Sequence, residues 1–342
     1  MAEWLIEFAL RRRILVIAMA LLIGGLGVYA LQHLNIDAFP DVTNVQVQVI
    51  TEAPGRSPQE VERFITLPLE IQMTGLPGLT EMRSLSKFGL SLLTVVFRDD
   101  VDVYFARQIV LERLIAAKSA LPADTDSVLG PVSTGLGEVF RYTVERTAGK
   151  VAGEAAPQAP WATSLADLRD TRTLQDWVIR PYLKGAPGVA DVNSHGGYVK
   201  QYQVLVNPDK LKKFGLTLQE VFESVSRNNS NAGGNILEQH AEKYIIRAVG
   251  LIHNLEDIDN IVVKEHGGVP IYIKDVAEVG IGHEVRHGAA VKDGKGEVVV
   301  GIVLMQRGGN AKRVVEMVKQ KIEELYQNNL LPADVRLVPF YD

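Results

Sequence analysis

The pattern with the plainest chemistry is His283-Glu284-Val285-Arg286-His287. On a helix, residues four apart share a face, so the two imidazoles of H-E-x-x-H reach one zinc and the glutamate acts as general base. Here Gly280, Gly282 and Gly288 flank the motif, and Val276 to Ile281 reads as strand. In a strand, residues four apart are ~13 Å apart at ~3.3 Å per residue, too far to share one ion. The motif is therefore read as strand and loop without a zinc site.

Two carboxylates come next. Glu138 follows Gly135-Leu136-Gly137, and Asp176 stands in Leu174-Gln175-Asp176-Trp177. The glycine pair lacks the preceding strand, the helix start and the third glycine of a dinucleotide loop. Oxygen ligands suit Zn²⁺ and similar divalent ions; on residue type alone, both positions equally describe surface carboxylates. The five histidines after His195 are scattered and form no ligand set. Six methionines spread from Met1 to Met317 give no thioether cluster for a soft monovalent metal. With no cysteine, thiolate sites, cysteine nucleophiles and disulfides are excluded. No hydrolase triad, Walker loop or aromatic-basic stripe occurs, so an enzyme is not expected. Asn228-Asn229-Ser230 is a glycosylation sequon by pattern only.

These residues must be held by a chain of 342 residues, 46% apolar and 23% charged, with net charge −5. That is a globular balance, long enough for two or three domains, with no basic field for nucleic acid. Ile14 to Leu31 is an 18-residue run without a charge. At ~1.5 Å per residue it spans most of a ~30 Å hydrocarbon core. Arg11, Arg12 and Arg13 precede it and place the N-terminus in the cytoplasm by the positive-inside rule. Cleavage as a signal peptide after Val28-Tyr29-Ala30 and a buried core helix are the competing readings; the run is long for the first and lacks a polar face for the second. Trp4, Leu5, Ile6, Phe8 and Ala9 suit a short amphipathic start along the inner surface.

The remainder is α+β and repeats itself. Val45 to Ile50 alternates as a strand, Ser57-Pro58-Gln59-Glu60 opens a helix, and Gly75-Leu-Pro-Gly78 stops it, with an interruption expected at Pro68. Two strands, Thr80 to Leu85 and Ser91 to Phe97, precede a helix over Val103 to Ala120 that ends at Leu121-Pro-Ala-Asp124, and a last strand is expected near Ser127 to Leu129. This is the β-α-β-β-α-β order of ferredoxin-like units.

The punctuation then recurs. A strand over Phe140 to Val144 is followed by a helix over Leu165 to Lys184, interrupted near Pro181 and stopped at Gly185-Ala-Pro-Gly188. Glu297 to Leu304 is a strand, and the helix Ala311 to Asn328 ends at Leu331-Pro-Ala-Asp334. Pro77 and Leu121 lie 44 positions apart, Pro187 and Leu331 lie 144 apart. The second unit is thus a copy of the first with about 100 residues inserted.

The insert has strands at Gln201 to Val206, Lys243 to Val249, Ile261 to Lys264 and Ile271 to Ile273, a helix opening at Asn207-Pro208-Asp209 whose pattern continues over Leu218 to Val225, and a polar loop at Asn228 to Asn235. An arm near 228–242 is too polar to pack on its own body; it reads equally as a mobile surface loop and as an arm that reaches a neighbouring subunit. Arg146 to Trp161 reads as a loop excursion.

Asp37-Ala-Phe-Pro-Asp-Val-Thr-Asn-Val-Gln-Val-Gln-Val49, Ala53-Pro-Gly-Arg-Ser-Pro-Gln-Glu-Val61, Leu129-Gly-Pro131, Leu174-Gln-Asp-Trp177 and Ala232-Gly-Gly234 resemble the heavy-metal efflux branch of the resistance-nodulation-division transporters, cobalt-zinc-cadmium type. The resemblance covers the whole chain. It implies a homotrimeric proton/cation antiporter of the bacterial inner membrane, lodged in the lipid bilayer. Its partners would be a periplasmic adaptor (a membrane fusion protein) and an outer-membrane channel. It implies no cofactor, a divalent metal ion as substrate, and Glu138 and Asp176 near the metal path. The implied division is 1–34 for the amphipathic start and transmembrane helix, 35–137 for the first porter subdomain, 138–194 plus 296–342 for the second, and 195–295 for an inserted docking subdomain. The family's further spans, its proton-relay carboxylates and its second porter half find no counterpart in these residues. The alternatives are a single-span periplasmic binding or assembly module without transport, and a pump for organic compounds.

Overall fold

The computed structural model describes residues 10–32, 43–146, 165–239, 242–248, 250–286, 288–294 and 296–342. The proposed amphipathic start at Trp4 to Ala9, most of the Arg146 to Trp161 excursion, and His287 lie outside these residues. Helix α1, Arg13–Gln32, is the apolar run, with a mean hydropathy of 2.5 over Arg13–Leu31 and none of it buried within the chain. By length and composition it can cross a membrane.

The first repeat begins with β1, Gln46–Glu52, whose alternating burial puts Val47 and Val49 in the core. Ser57 caps α2, Pro58–Val61, in a capping box with Glu60. A π turn, Glu62–Thr66, leads into α3, Leu67–Met73. Strands β2, Leu79–Lys87, and β3, Leu90–Phe97, form a hairpin. Asp102 caps α4, Val103–Ala117, and β4, Asp126–Leu129, closes the unit. The sheet order β2-β3-β1-β4 with antiparallel neighbours is that of a ferredoxin-like unit. Ile65, Leu69 and Met73 pack with Leu93, Val95, Ala106 and Val110 beneath it, each large side chain contributing roughly 1.5–3 kcal/mol on burial.

The second repeat starts at β5, Glu138–Arg146. Helix α5, Leu165–Leu174, runs through a π turn, Gln175–Ile179, into α6, Arg180–Lys184, and then β6, Val189–His195. The inserted residues carry β7, Lys200–Val206, then α7, Pro208–Phe214, and α8, Leu218–Arg227. A hairpin of β8, Ala232–Gln239, and β9, Glu242–Ala248, follows. After α9, Leu255–Asp259, come β10, Val262–His266, β11, Val269–Tyr272, α10, Ile273–Val276, and β12, Ala277–His283. Two short strands, β13, Val291–Lys292, and β14, Gly296–Glu297, lead back to β15, Val299–Met305, α11, Ala311–Gln327, and β16, Val335–Tyr341. The sheet order β16-β5-β15-β6 repeats the first unit's topology strand for strand.

The repeats agree in detail. Gly78 and Gly188 both adopt positive φ (77° and 85°), and at each an added Cβ would meet a valine methyl, Val101 at 2.8 Å and Val314 at 2.7 Å. Their carbonyls accept from Arg98 N–H at 2.9 Å and Gln306 N–H at 2.8 Å. Both π turns lie just before a proline at the second position of the next helix. A proline ring clashes with the carbonyl four residues earlier, that of Phe64 or Trp177, and widening the turn moves this carbonyl aside. The interruptions expected at Pro68 and Pro181 are thus wide turns within continuing helices.

Contacts divide the chain into two units. One holds Met1–Ala156, Gln175–His195 and Val300–Asp342; the other holds Pro157–Leu174 and Gly196–Val299. The second unit has its own core of Leu216, Val221, Ile258, Ile271, Ile273 and Val276. Within it, the polar loop expected over 228–235 ends early, because β8 pairs with β9 from Ala232 onward. The helix expected to run on from Asn207 breaks at Gly215, a left-handed cap with φ 62°, before Thr217 caps the next one.

Candidate functional site

Glu138 is the first residue of β5 and lines an open groove of about 660 Å³. Gly137 sets its position. Met305 N–H donates to the Gly137 carbonyl at 2.7 Å, and a Cβ at 137 would fall 2.5 Å from Ser133 Oγ and 3.2 Å from two backbone oxygens. The second glycine of Gly135-Leu-Gly137 therefore admits a close strand approach. Leu136, Val139, Met305 and Val315 supply apolar walls, and Lys312 and Glu316 on α11 add charge. Arg141 Nη2 donates to Glu138 Oε2, and the same guanidinium lies 5.4 Å from the Tyr341 ring centroid. The Glu138 side chain is 31% exposed. A cation entering this groove meets a carboxylate already neutralised by an arginine, so it must displace Arg141 or share its partner.

Asp176 is the second residue of the π turn Gln175–Ile179 and is half-buried. It does not line the Glu138 groove. Its neighbours in sequence differ sharply in environment: Gln175 is wholly buried, and Trp177 is 79% exposed. Tyr142 Oη donates to Gln175 Oε1 at 3.0 Å, and Gln175 Nε2 donates to Ser194 Oγ at 3.3 Å. Burial pushes the Tyr142 phenol well above its ordinary value, the hydrogen bond to Gln175 opposes this, and the Asp176 charge adds to it. Asp176 therefore lies within electrostatic reach of a buried tyrosine.

Among the described residues, no group of three or more His, Asp or Glu is placed to hold a metal ion. His283 ends β12, and Glu284 to Arg286 are not helical. Arg286 pairs with Glu297 at 2.7 Å and covers the Tyr198 ring at 4.3 Å. Its pairing with Glu297 raises the Arg286 pKa. Residue spacing gave no signal for Tyr142, Gln175 or the α11 side of the groove. Gln175 adjoins Asp176 in sequence, but the tyrosine it meets is 33 positions away, and α11 reaches the Glu138 groove from far along the chain.

The fold is a repeated ferredoxin-like unit that follows an apolar helix, and comparison with known proteins gives its class. Residues 5–342 match the AcrB/AcrD/AcrF family, and the chain belongs to that family. It is 45% identical over 342 residues to Protein HelA of Legionella pneumophila and 44% identical to the cobalt-zinc-cadmium resistance protein CzcA of Cupriavidus metallidurans, in each case 100% of this chain and 31% of the relative. It is 39% identical to the cation efflux system protein CusA of Escherichia coli, again over 31% of that protein. A crystal structure of a heavy metal efflux pump superposes with a TM-score of 0.83 at 34% identity, over 99% of this chain and 32% of the pump. The chain thus spans about a third of the length of these relatives.

Proposed function

We propose that the chain works as the anchor and first porter half of a heavy-metal cation/proton antiporter that exports divalent ions of the zinc, cobalt and cadmium class. The observation that carries this reading is the 44% identity to a cobalt-zinc-cadmium resistance protein over the whole of the chain. The function is transport, with the metal ion as substrate. In this reading α1 sits in the bacterial inner membrane with Arg11–Arg13 in the cytoplasm. Residues 35–137 and 138–194 plus 296–342 are porter subdomains, and 195–295 are the docking subdomain. The partners are two further copies, a periplasmic adaptor and an outer-membrane channel. Exposed Tyr104, Leu111 and Ile115 on α4, opposite its buried face, support assembly with other copies.

Glu138 and Asp176 are proposed to guide the cation, each as one oxygen donor in a path completed by residues beyond those described. The test is a chimera in which these 342 residues replace the matched segment of the C. metallidurans relative. Cells depending on it tolerate zinc and cobalt, and Glu138→Ala or Asp176→Ala lowers tolerance at unchanged protein level. Full tolerance in both variants removes the two carboxylates from the path.

A further inference from the structure

The π turn that carries Asp176 is an uncommon backbone, and the structure shows what holds it. Such turns are usually single bulges inside helices and concentrate at functional positions. Gln175, its first residue, is completely buried. An uncharged amide in that position loses its hydration and must find partners inside the protein. It has two: the Tyr142 hydroxyl from β5 at 3.0 Å and Ser194 Oγ from β6 at 3.3 Å. Tyr142 in turn is locked. It is fully buried, and its ring lies against Gly301 of β15 so closely that a Cβ there would be 2.2 Å from Cζ. Two strands of one sheet, β5 and β6, therefore bond Gln175 directly, and a third, β15, backs the tyrosine that does so.

The first repeat anchors its own π turn differently. Thr66, its last residue, is buried and bonded to Ser86 and Ser91, each at 2.8 Å. A polar anchor into the sheet is thus common to both turns, whereas the tyrosine–glutamine pair belongs to the turn that bears Asp176; the first turn opens instead with an exposed carboxylate, Glu62.

We infer that Tyr142 is a positioning residue for cation transport: through Gln175 it fixes the π turn so that Asp176 presents its carboxylate in one orientation to the passing ion. This rests on the reading that Asp176 lies on the cation path. Removing the hydroxyl leaves the Gln175 carbonyl oxygen buried and without its donor, and the turn gains other arrangements.

The experiment has two arms. In the 342-residue chain, Trp4 and Trp161 are replaced by Phe, so that exposed Trp177 reports on the turn. Tyr142→Phe, which keeps the ring against Gly301, should lower Trp177 fluorescence anisotropy and raise acrylamide quenching. In the chimera, Tyr142→Phe should reduce ⁶⁵Zn²⁺ transport at subsaturating zinc about tenfold, equivalent to ~1.4 kcal/mol. The same change in an Asp176→Asn background should have no further effect, because its target is gone. A purely structural role predicts a lower melting temperature with Trp177 unmoved, or additive losses in the double variant; either overturns the proposal. If Asp176→Asn alone transports normally, the path reading fails, and the proposal fails with it for a distinguishable reason. Replacing both partners, Tyr142→Phe with Gln175→Met, removes the unpaired polar atom. It should restore the melting temperature and leave zinc transport low; recovery of both would also overturn the proposal.

Discussion

Gly301→Ala tests the packing beneath the π turn. In β15 a Cβ at this position would lie 2.2 Å from Tyr142 Cζ, 2.4 Å from Oη and 2.6 Å from Cε1. Contacts under 3 Å require something to move, and Tyr142 is wholly buried, so its ring has no open side. Overpacking of this kind costs roughly 1–3 kcal/mol. Displacing the ring also breaks the bond to Gln175, worth about 1 kcal/mol. The expected loss is therefore ~2–4 kcal/mol, centred on the β16-β5-β15-β6 sheet. Hydrogen exchange in detergent reads it locally, as lost protection of β5 and β15 amides with β1 and β3 less affected. Gly280→Ala in β12, where nothing lies within 4 Å of the new atom, is the control and should change stability by less than about 0.5 kcal/mol. A Gly301→Ala chain as protected as that control would refute the packing reasoning.

Gly78→Ala and Gly188→Ala should each cost about 2 kcal/mol, since both combine positive φ with a valine methyl under 3 Å away; equal losses measured by urea unfolding check the repeat equivalence. Glu220 is held at about 2 by its hydrogen bonds to Lys264 and Thr217. Its pKa is lowered on folding, so its contribution is complete above the ordinary glutamate pKa of ~4.3 and disappears as pH falls through about 2; Glu220→Gln should flatten the acid dependence of amide protection in α8 over that window. Arg56→Ala removes a surface pair in which Nη2 alone donates to both Asp124 carboxylate oxygens (2.6 and 2.9 Å) and should cost under ~1 kcal/mol by the same unfolding measurement. Lys213→Cys, the single thiol in a cysteine-free chain, should label in intact spheroplasts; labelling only after lysis would reverse the proposed orientation.

Local signals carried much of the architecture. Ser57-Pro58, the two Pro-Gly stops and the two Leu-Pro-Ala-Asp endings marked both repeats, because capping and positive-φ demands act on a few neighbouring residues. Local signals of the same kind lie inside the insert and beside β15. Gly215 and the Thr217-x-x-Glu220 capping box mark the break between α7 and α8, and Asp293-Gly294 marks the turn between β13 and β14. The π turns were not legible as such: proline announces strain in a helix but not whether the helix breaks or widens. Nor was the strand from Ala232, since Asn and Gly there suggest a loop until pairing with β9 overrides them. At the site, Glu138 and Asp176 could be picked out by residue type. Their surroundings could not, because Tyr142 meets Gln175 across 33 positions, and α11 joins the groove from far along the chain.

The most direct test is zinc flux in proteoliposomes containing the chimera, followed with ⁶⁵Zn²⁺ under an imposed pH gradient. Gradient-driven transport that a protonophore abolishes, and that falls at least about tenfold with Asp176→Asn and with Glu138→Gln, is the expected result. A correctly inserted, trimeric chimera that moves no zinc, or moves it equally well without both carboxylates, would contradict the assignment of these residues to a metal-efflux path.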